Sequence, residues 1–511
     1  MKTKSYWLSL PPRTHATPLN GDKEVDVLVI GGGVTGLTTA LLLAKSGLHI
    51  AVVERQTIGS GDSGHTTAHL TYMTDTRLSE LVTRVGKDHA LASWDAGAHA
   101  MQIIHDLVQE YRLSCEFRVV PGFLALAEDA SRDDERKTLR DEATMMIEHG
   151  FEASFEERVP VTGNCGIRMG NQMKFHPVKY LRALAHQAAA LGVGIYEHTE
   201  VASFKEDPRK AVLTNGHTIR YDKVVIATHM PLQGNTGTLG ALFFQTKLYA
   251  YSTYAIAATI PSGAFPEFIW SDTADPFNYV RVDKGAEADV VVLGGQDHKT
   301  GQKLDTDACY RRLEDTLSRW MPDAVSTYRW SGQVIETPDG LPYIGTVDEH
   351  QYVATGFSGN GYTFGTLAGA IIHDAITETK NPWADLFSPA RKKLSGAWDY
   401  LKENADYPYY LLKGFAASLG GSSNQPMGKG EGKVSRRGGK RIAMCCDQQG
   451  QVHTVSSVCP HLGCIVGWNA ADQTWDCPCH GSRFHKDGSL LAGPAEKGLD
   501  AIAASDTGQT H

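Results

Sequence analysis

Runs of apolar residues alternate with helical patterns along this chain, and they predict a sheet-rich α/β protein. Val25-Asp-Val-Leu-Val-Ile30 is nearly all apolar, the mark of a strand buried on both faces. Leu37 to Ser46 has helical periodicity, and Ile50-Ala-Val-Val-Glu54 predicts a second buried strand that ends in an acid. Leu78 to Tyr111 is helical with Gly97 as its candidate break, Arg118 to Ala127 is strand-like, and Ala130 to His149 is a charged helix. The charges at positions 132 to 137 of that helix are expected only to face water. Phe175-His176-Pro177 opens a helix through Ala190, with proline near its first turn. Strands are predicted at Val193–Val201 and at Lys223–Ala227. Leu242 to Ile260 then alternates aromatic and small residues, including Phe244, Tyr249, Tyr251 and Tyr254. With Asn278–Val282 and Val290–Gly295 it predicts an antiparallel sheet. A helix is expected over Thr366–Thr377, and residues 392 to about 415 suggest a connecting helix. Gly420 to Gly439 is rich in turn signals and should lead into short strands.

At 511 residues the chain is long enough for two or three domains. Its net charge of −9 argues against nucleic acid or an anionic membrane as partner. No apolar run reaches the ~18 residues a spanning helix needs, and residues 1–22 lack the apolar core of a secretory signal.

Gly31-Gly-Gly33-Val-Thr-Gly36 joins the first buried strand to its helix, and Glu54 closes the next strand 18 residues after Gly36. Glycines in that setting permit a tight turn and let a pyrophosphate approach a helix N-terminus, while the acid accepts from ribose hydroxyls. A dinucleotide site is therefore expected on Gly31, Gly33, Gly36 and Glu54. A second glycine cluster, Gly356-Phe-Ser-Gly359-Asn360-Gly361-Tyr-Thr363-Phe-Gly365, precedes the helix at Thr366 and presents its dipole and free N–H groups to an anion.

Near the end stand Cys459-Pro-His461-Leu-Gly-Cys464 and Cys477-Pro-Cys479-His480-Gly-Ser482. Two Cys and two His can hold zinc, but zinc fingers usually pair Cys with Cys and His with His. Here each loop offers one of each, as a centre with two thiolates on one iron and two imidazoles on the other requires.

These loops, with Gly481-Ser482-Arg-Phe484 and Gly493-Pro494-Ala495, resemble the Rieske [2Fe–2S] family over about the last 85 residues. The resemblance implies Cys459 and Cys477 on one iron, His461 and His480 on the other, and a disulfide between Cys464 and Cys479. It implies Ser482 as a donor to a cluster sulfide and, with Phe484 where higher-potential members carry Tyr, a positive but not extreme potential. Five other cysteines remain of the nine, without a disulfide framework, which suggests a reducing compartment and a cytoplasmic location.

Ile58-Gly-Ser-Gly61-Asp-Ser-Gly64-His65-Thr66-Thr-Ala-His69 resembles the flavin-contacting loop of the D-amino-acid oxidase and glycine oxidase superfamily. This resemblance covers about residues 24 to 380. It implies FAD, contacted by Gly61, Gly64, His65 and Thr66, by Val201 through its backbone, by Ala227, and by Gly359, Asn360, Gly361 and Thr363. In the dimethylglycine and sarcosine dehydrogenase branch a similarly placed His is bonded to the flavin. His65 is thus either a covalent FAD link or a loop histidine beside a non-covalent flavin. Arg281 is the candidate to hold a substrate carboxylate, guanidinium binding it as a fork, and Tyr251 and Tyr254 are candidates to line the site.

The expected fold is α/β. A Rossmann-like FAD domain is built from segments of about 24–90, 155–235 and 335–380. An antiparallel substrate domain is built from about 91–154 and 236–334. These make up residues 1–385, followed by a linker at 386–425 and a small all-β Rieske domain at 426–511. The resemblance implies oxidation of a small amine or N-methyl amino acid, with electrons leaving singly through the cluster to an external carrier protein or quinone. An alternative has a reductase partner feed the cluster, and the cluster feed the flavin for oxygen activation or substrate reduction. A third is a redox-sensing module without turnover. An oligomer is compatible with all three.

Overall fold

In the computed structural model the described residues are 1–10, 16–128, 132–231, 247–303, 305–391, 427–437 and 440–502. The expected connecting helix, most of the 386–425 linker, Phe244 and the start of the 420–439 turn region lie outside them. The first buried strand, Lys23–Ile30, is central to an eight-stranded sheet. It pairs in parallel with Ile50–Val53 on one side and Thr218–Ile226 on the other. Gly194–Tyr196 and Gln351–Thr355 extend the parallel set at either end. Helix Val34–Leu43 has nine of its ten residues buried, packed between this sheet and helix Gly361–Ile376. A helix apolar all round suits such a sandwiched position.

A ten-stranded, mostly antiparallel sheet lies beside it, with Tyr249–Ile260 between Asp289–Lys299 and Val325–Glu336. Segment 155–235, expected wholly in the dinucleotide domain, is divided between the two sheets. Its strand Gly166–Lys174 pairs antiparallel with Arg118–Ala125 in the larger sheet. The strand carries Arg168, Gln172 and Lys174, a composition unlike the all-apolar parallel strands. The helical region after Leu78 breaks at Gly86, in the left-handed region at φ +86°, and not at Gly97. Gly97 lies inside helix Lys87–Glu110, where a Cβ would press on Tyr72 Cα at 3.2 Å. Helix Arg132–Glu148 does more than face water: Glu135 and the buried Glu142 both pair with Arg77, and Arg136 pairs with Glu157.

The C-terminal region consists of a three-stranded sheet (Gly432–Arg437, Lys440–Cys446, Val452–Ser456) and a four-stranded sheet (Gly467–Asn469, Thr474–Asp476, Arg483–His485, Leu490–Ala492). Trp475 and Phe484 are fully buried between them. The region is seated on the larger sheet. Asp472 accepts from Ser331 Oγ at 2.5 Å and from Arg483 at 2.8 Å, and Thr306 Oγ1 donates to Asn469 at 2.8 Å. No described helix is long and apolar enough to cross a membrane.

Candidate active site and metal centre

A cavity of 1440 Å³ opens where the two large sheets and the C-terminal region meet. That exceeds the ~300–1,000 Å³ typical of a pocket for one small ligand. Its floor is the strand–turn–helix at Gly31–Val34. A Cβ on Gly31 would overlap the Ala227 carbonyl, and one on Gly36 would overlap the Gly31 carbonyl. The N-cap of helix Val34–Leu43, Gly33, makes no side-chain cap bond, and Val34 N–H reaches only the Ser63 hydroxyl, at 3.4 Å, so this end of the helix can receive an anion. Glu54 lies at the end of the neighbouring strand. Its two oxygens accept from the backbone N–H of Gly32 at 2.8 Å and Gln56 at 2.7 Å. The second glycine cluster caps helix Gly361–Ile376, also without a side-chain cap, and the buried Asn360 Oδ1 has no partner. These features fit a bound dinucleotide such as FAD. Gly31, Gly33 and Glu54 would hold one half; Gly61, His65, Thr66, Gly359, Asn360 and Gly361 would meet the other, and Val201 and Ala227 complete the lining.

Three residues expected at the cofactor do not line the cavity. Gly36 and Gly64 are turn glycines, a Cβ at Gly64 colliding with the Gly59 carbonyl. Thr363 turns its hydroxyl to the Thr71 carbonyl at 3.0 Å. The loop around His65 is held from below by the N-terminus, where Ser5 Oγ donates to Gly64 O and Trp7 Nε1 to Thr66 O, both at 2.6 Å. His65 Nδ1 lies 3.0 Å from Gly61 O, and Trp330 Nε1 donates to His65 O at 2.9 Å.

The three expected substrate residues are placed elsewhere. Arg281 is 2% exposed and its guanidinium is fully occupied. It binds Asp283 through Nε and Nη2, donates from Nη1 to the Thr67 and Ala68 carbonyls, and lies over the Trp7 ring. It is thus a buried structural ion pair with no fork left for a substrate. Tyr254 points away from the cavity into the core beneath helix Asp307–Trp320, edge-on to Tyr310. Tyr251 also lies outside the cavity lining. Ordinary alternation along the strand puts Thr253 and Ala255 on the cavity wall and Tyr254 on the opposite face. Replacing Arg281 with Met should therefore lower stability by about 3 kcal/mol, the low end for breaking a buried pair, since Lys174 still binds Asp283 at 2.5 Å. Urea denaturation would measure this; a rise in KM at unchanged stability would contradict it.

Sequence reasoning missed the residues that do face the cavity from the larger sheet, Thr253, Tyr279, Asp297 and His69, and Asp75 from the loop after His69. One signal was available. Gly294-Gly295 interrupts a strand, and a glycine in a strand often marks a close approach. A Cβ at Gly294 would overlap the Tyr279 ring, and Gly295 has φ +146°.

The two cluster loops share one backbone pattern. Gly463 N–H donates to Cys459 O and Gly481 N–H to Cys477 O, both at 3.0 Å. Cys459 N–H donates to Cys464 O and Cys477 N–H to Ser482 O, both at 2.8 Å. Each loop turns on a left-handed glycine, φ +78° at Gly463 and +75° at Gly481. The Cys464–Cys479 disulfide ties the loops together. Cys459 and Cys477 are buried free cysteines in the same core cluster. The His461 and His480 rings lie 5.0 Å apart and edge-on. Ser482 Oγ accepts from Ala495 N–H at 3.0 Å and bonds to the Cys459 side chain. Two thiols and two imidazoles so gathered fit a [2Fe–2S] cluster with mixed ligation, and these four residues would hold it.

Comparison with known proteins bears on both sites. The family model described as FAD dependent oxidoreductase matches residues 26–375, and that of the Rieske [2Fe-2S] domain matches residues 421–503. The chain is 30% identical over 506 residues to a Bacillus subtilis (strain 168) protein described as a Rieske 2Fe-2S iron-sulfur protein, YhfW, covering 98% of this chain and 97% of that one. It is 24% identical over 372 residues to the gamma-glutamylputrescine oxidoreductase of Escherichia coli (strain K12), covering 70% of this chain and 85% of the relative. Among solved structures, glycine oxidase from Geobacillus kaustophilus superposes with a TM-score of 0.61 at 20% identity, covering 72% of this chain and 99% of that one.

Proposed function

The chain belongs to the FAD dependent oxidoreductase family and carries a Rieske [2Fe–2S] domain at its C-terminal end, and from that premise we propose that it oxidises a small amine or N-methyl amino acid and releases the electrons one at a time to an external acceptor. In the net reaction the substrate loses a hydride from the carbon beside nitrogen and a proton from the nitrogen. Water hydrolyses the resulting imine, and two equivalents of a one-electron carrier are reduced. When bound, the flavin supplies the two-electron acceptor and the cluster a one-electron outlet. The E. coli relative named above as an oxidoreductase of gamma-glutamylputrescine, itself an amine, supports the substrate class.

The observation that carries the reading is Gln333. Its backbone N–H donates to Asp62 Oδ1, in the loop that would meet the flavin, at 3.0 Å. Its side-chain Nε2 donates to the carbonyl of Gly481, next to His480, at 2.8 Å. One residue on the cavity wall thus joins the two cofactor loops. Close packing supports the same point: a Cβ on Gly301 would press on the Cys477 and Pro478 backbone, and Leu490 to Glu496 of the Rieske region line the cavity. The residues of the chain hold the two sites in contact and close the cavity around the substrate.

An anaerobic visible titration of the holoenzyme with amines tests this. The expected result is loss of flavin absorbance followed by loss of cluster absorbance, with no added reductase. If every amine leaves the flavin oxidised, or if the flavin bleaches while the cluster stays oxidised, the proposal falls.

A further inference from the structure

Two acids that form no ion pair among the described residues line the cavity: Asp297, half-buried in the larger sheet, and Asp75, exposed beside Gly359. Tyr279 Oη lies 2.5 Å from Thr253 Oγ1, and Thr253, Tyr279 and Asp297 all line the cavity. Asp297 Oδ1 is sealed from solvent and has no hydrogen-bond partner. Asp75, across the cavity, accepts from the Gly359 N–H. His69 stands edge-on to the Tyr279 ring at 5.9 Å, with its buried Nε2 also unpartnered. Burial holds His69 neutral, its pKa lowered to about 3. Burial, and then repulsion from Asp75 and Asp275, pushes Asp297 up to about 7. Desolvation pushes Asp75 up to about 6.

A buried carboxylate without a counter-charge is costly, so it either takes a proton or awaits a cation. The chain does not provide that cation from its nearby arginines. Arg77 is paired with Glu142 and Glu135, Arg329 with Asp307, and Arg483 with Asp472 and Asp476. Arg281, as shown above, is closed off with Asp283.

We infer that the substrate is an amine without a carboxylate on the carbon beside its nitrogen, and that it enters as the ammonium cation to be held by Asp297 and Asp75. The inference rests on the oxidative reading above and narrows its substrate. The ammonium would donate N–H to the Asp297 carboxylate where it lines the cavity. Its N–H bond then breaks as an O–H bond forms on Asp297, and the electron pair stays on nitrogen as the neutral amine ready for oxidation. An α-carboxylate placed on the same wall would meet Asp297 and Asp75 as a like charge, so amino acids are excluded by repulsion.

The test compares butylamine with 2-aminopentanoate, which is butylamine plus one carboxylate, by calorimetric titration of the oxidised holoenzyme under anaerobic conditions. Wild-type protein should bind butylamine at least tenfold more tightly. Asp297→Asn, an isosteric change, should weaken butylamine about tenfold or more while flavin content stays at the wild-type level. Equal binding of the two probes, no binding of butylamine, or an Asp297→Asn protein that binds butylamine normally would each overturn the inference. So would an Asp297→Asn protein that loses flavin, because the acid would then serve the cofactor. The two readings fail separately. Butylamine that binds without bleaching the flavin counts against amine oxidation alone. Bleaching by 2-aminopentanoate with no butylamine binding counts against the ammonium site alone.

Discussion

Cys477→Ala protein is expected to purify with no detectable iron or acid-labile sulfide and with its full complement of FAD. The thiol it loses is one of four groups gathered on two loops that share a backbone pattern. Three ligands cannot satisfy both irons of a cluster that needs two thiolates and two imidazoles. The domain should nonetheless stay folded, because its core rests on Trp475, Phe484 and the Cys464–Cys479 disulfide. The flavin cradle is built from residues 31–66, 201–227 and 359–361, none of which the substitution touches. Turnover with a one-electron acceptor should disappear, while anaerobic bleaching of the flavin by substrate persists. Metal analysis decides the first half. Wild-type protein carrying zinc in place of iron, or a variant that keeps two irons per chain, would refute the ligand assignment. Normal turnover by the iron-free variant would refute the outlet role.

Gly31→Ala and Gly36→Val should give protein largely free of flavin. At Gly31 the backbone is in the left-handed region, φ +112°, and an added Cβ overlaps the Ala227 carbonyl. At Gly36 the obstacle is the Gly31 carbonyl. Both obstacles are backbone atoms, so no change of rotamer relieves them. Overpacking costs about 1–3 kcal/mol, and each 1.4 kcal/mol is about tenfold in affinity. A fall in flavin affinity of tenfold or more follows if the turn shifts away from the pyrophosphate. Gly467→Ala is the control, since a Cβ there meets only the Asp476 carbonyl at 4.0 Å and the residue does not line the cavity. Flavin content after gel filtration measures the effect. Gly36→Val protein with stoichiometric FAD would show that the turn is not the cofactor's cradle.

The contrast among these glycines explains how far the sequence could be read. Gly31, Gly33 and Glu54 are separated by a fixed, short stretch of strand, turn and helix. Local geometry places them together, so their spacing alone predicts the cradle. The cluster ligands are legible for the same reason: each pair sits within one loop of four residues, and only the joining of the two loops is non-local. Gly36, Gly64 and Thr363 belong to the same motifs but serve the turns instead of the cavity lining. Motif membership does not distinguish a residue that touches the ligand from one that supports it.

Long-range packing decided the rest. Arg281 looked available because, apart from Asp283 two residues on, its partners Thr67, Ala68 and Trp7 lie more than two hundred residues away, and a guanidinium buried among them has no fork left to offer. Tyr254 is kept from the site by strand alternation, because neighbouring side chains point to opposite faces and Thr253 and Ala255 take the cavity face. The acids at Asp75 and Asp297 gain their character only in the fold, where desolvation raises both and Asp297 also senses the charge of Asp75. Thus the sequence by itself determined the two cofactor sites, whose chemistry depends on backbone turns and ligands close in the chain. Only the tertiary structure decided which groups line the cavity and that the cluster loop sits beside it, because burial and contact between distant segments are properties of the packed whole.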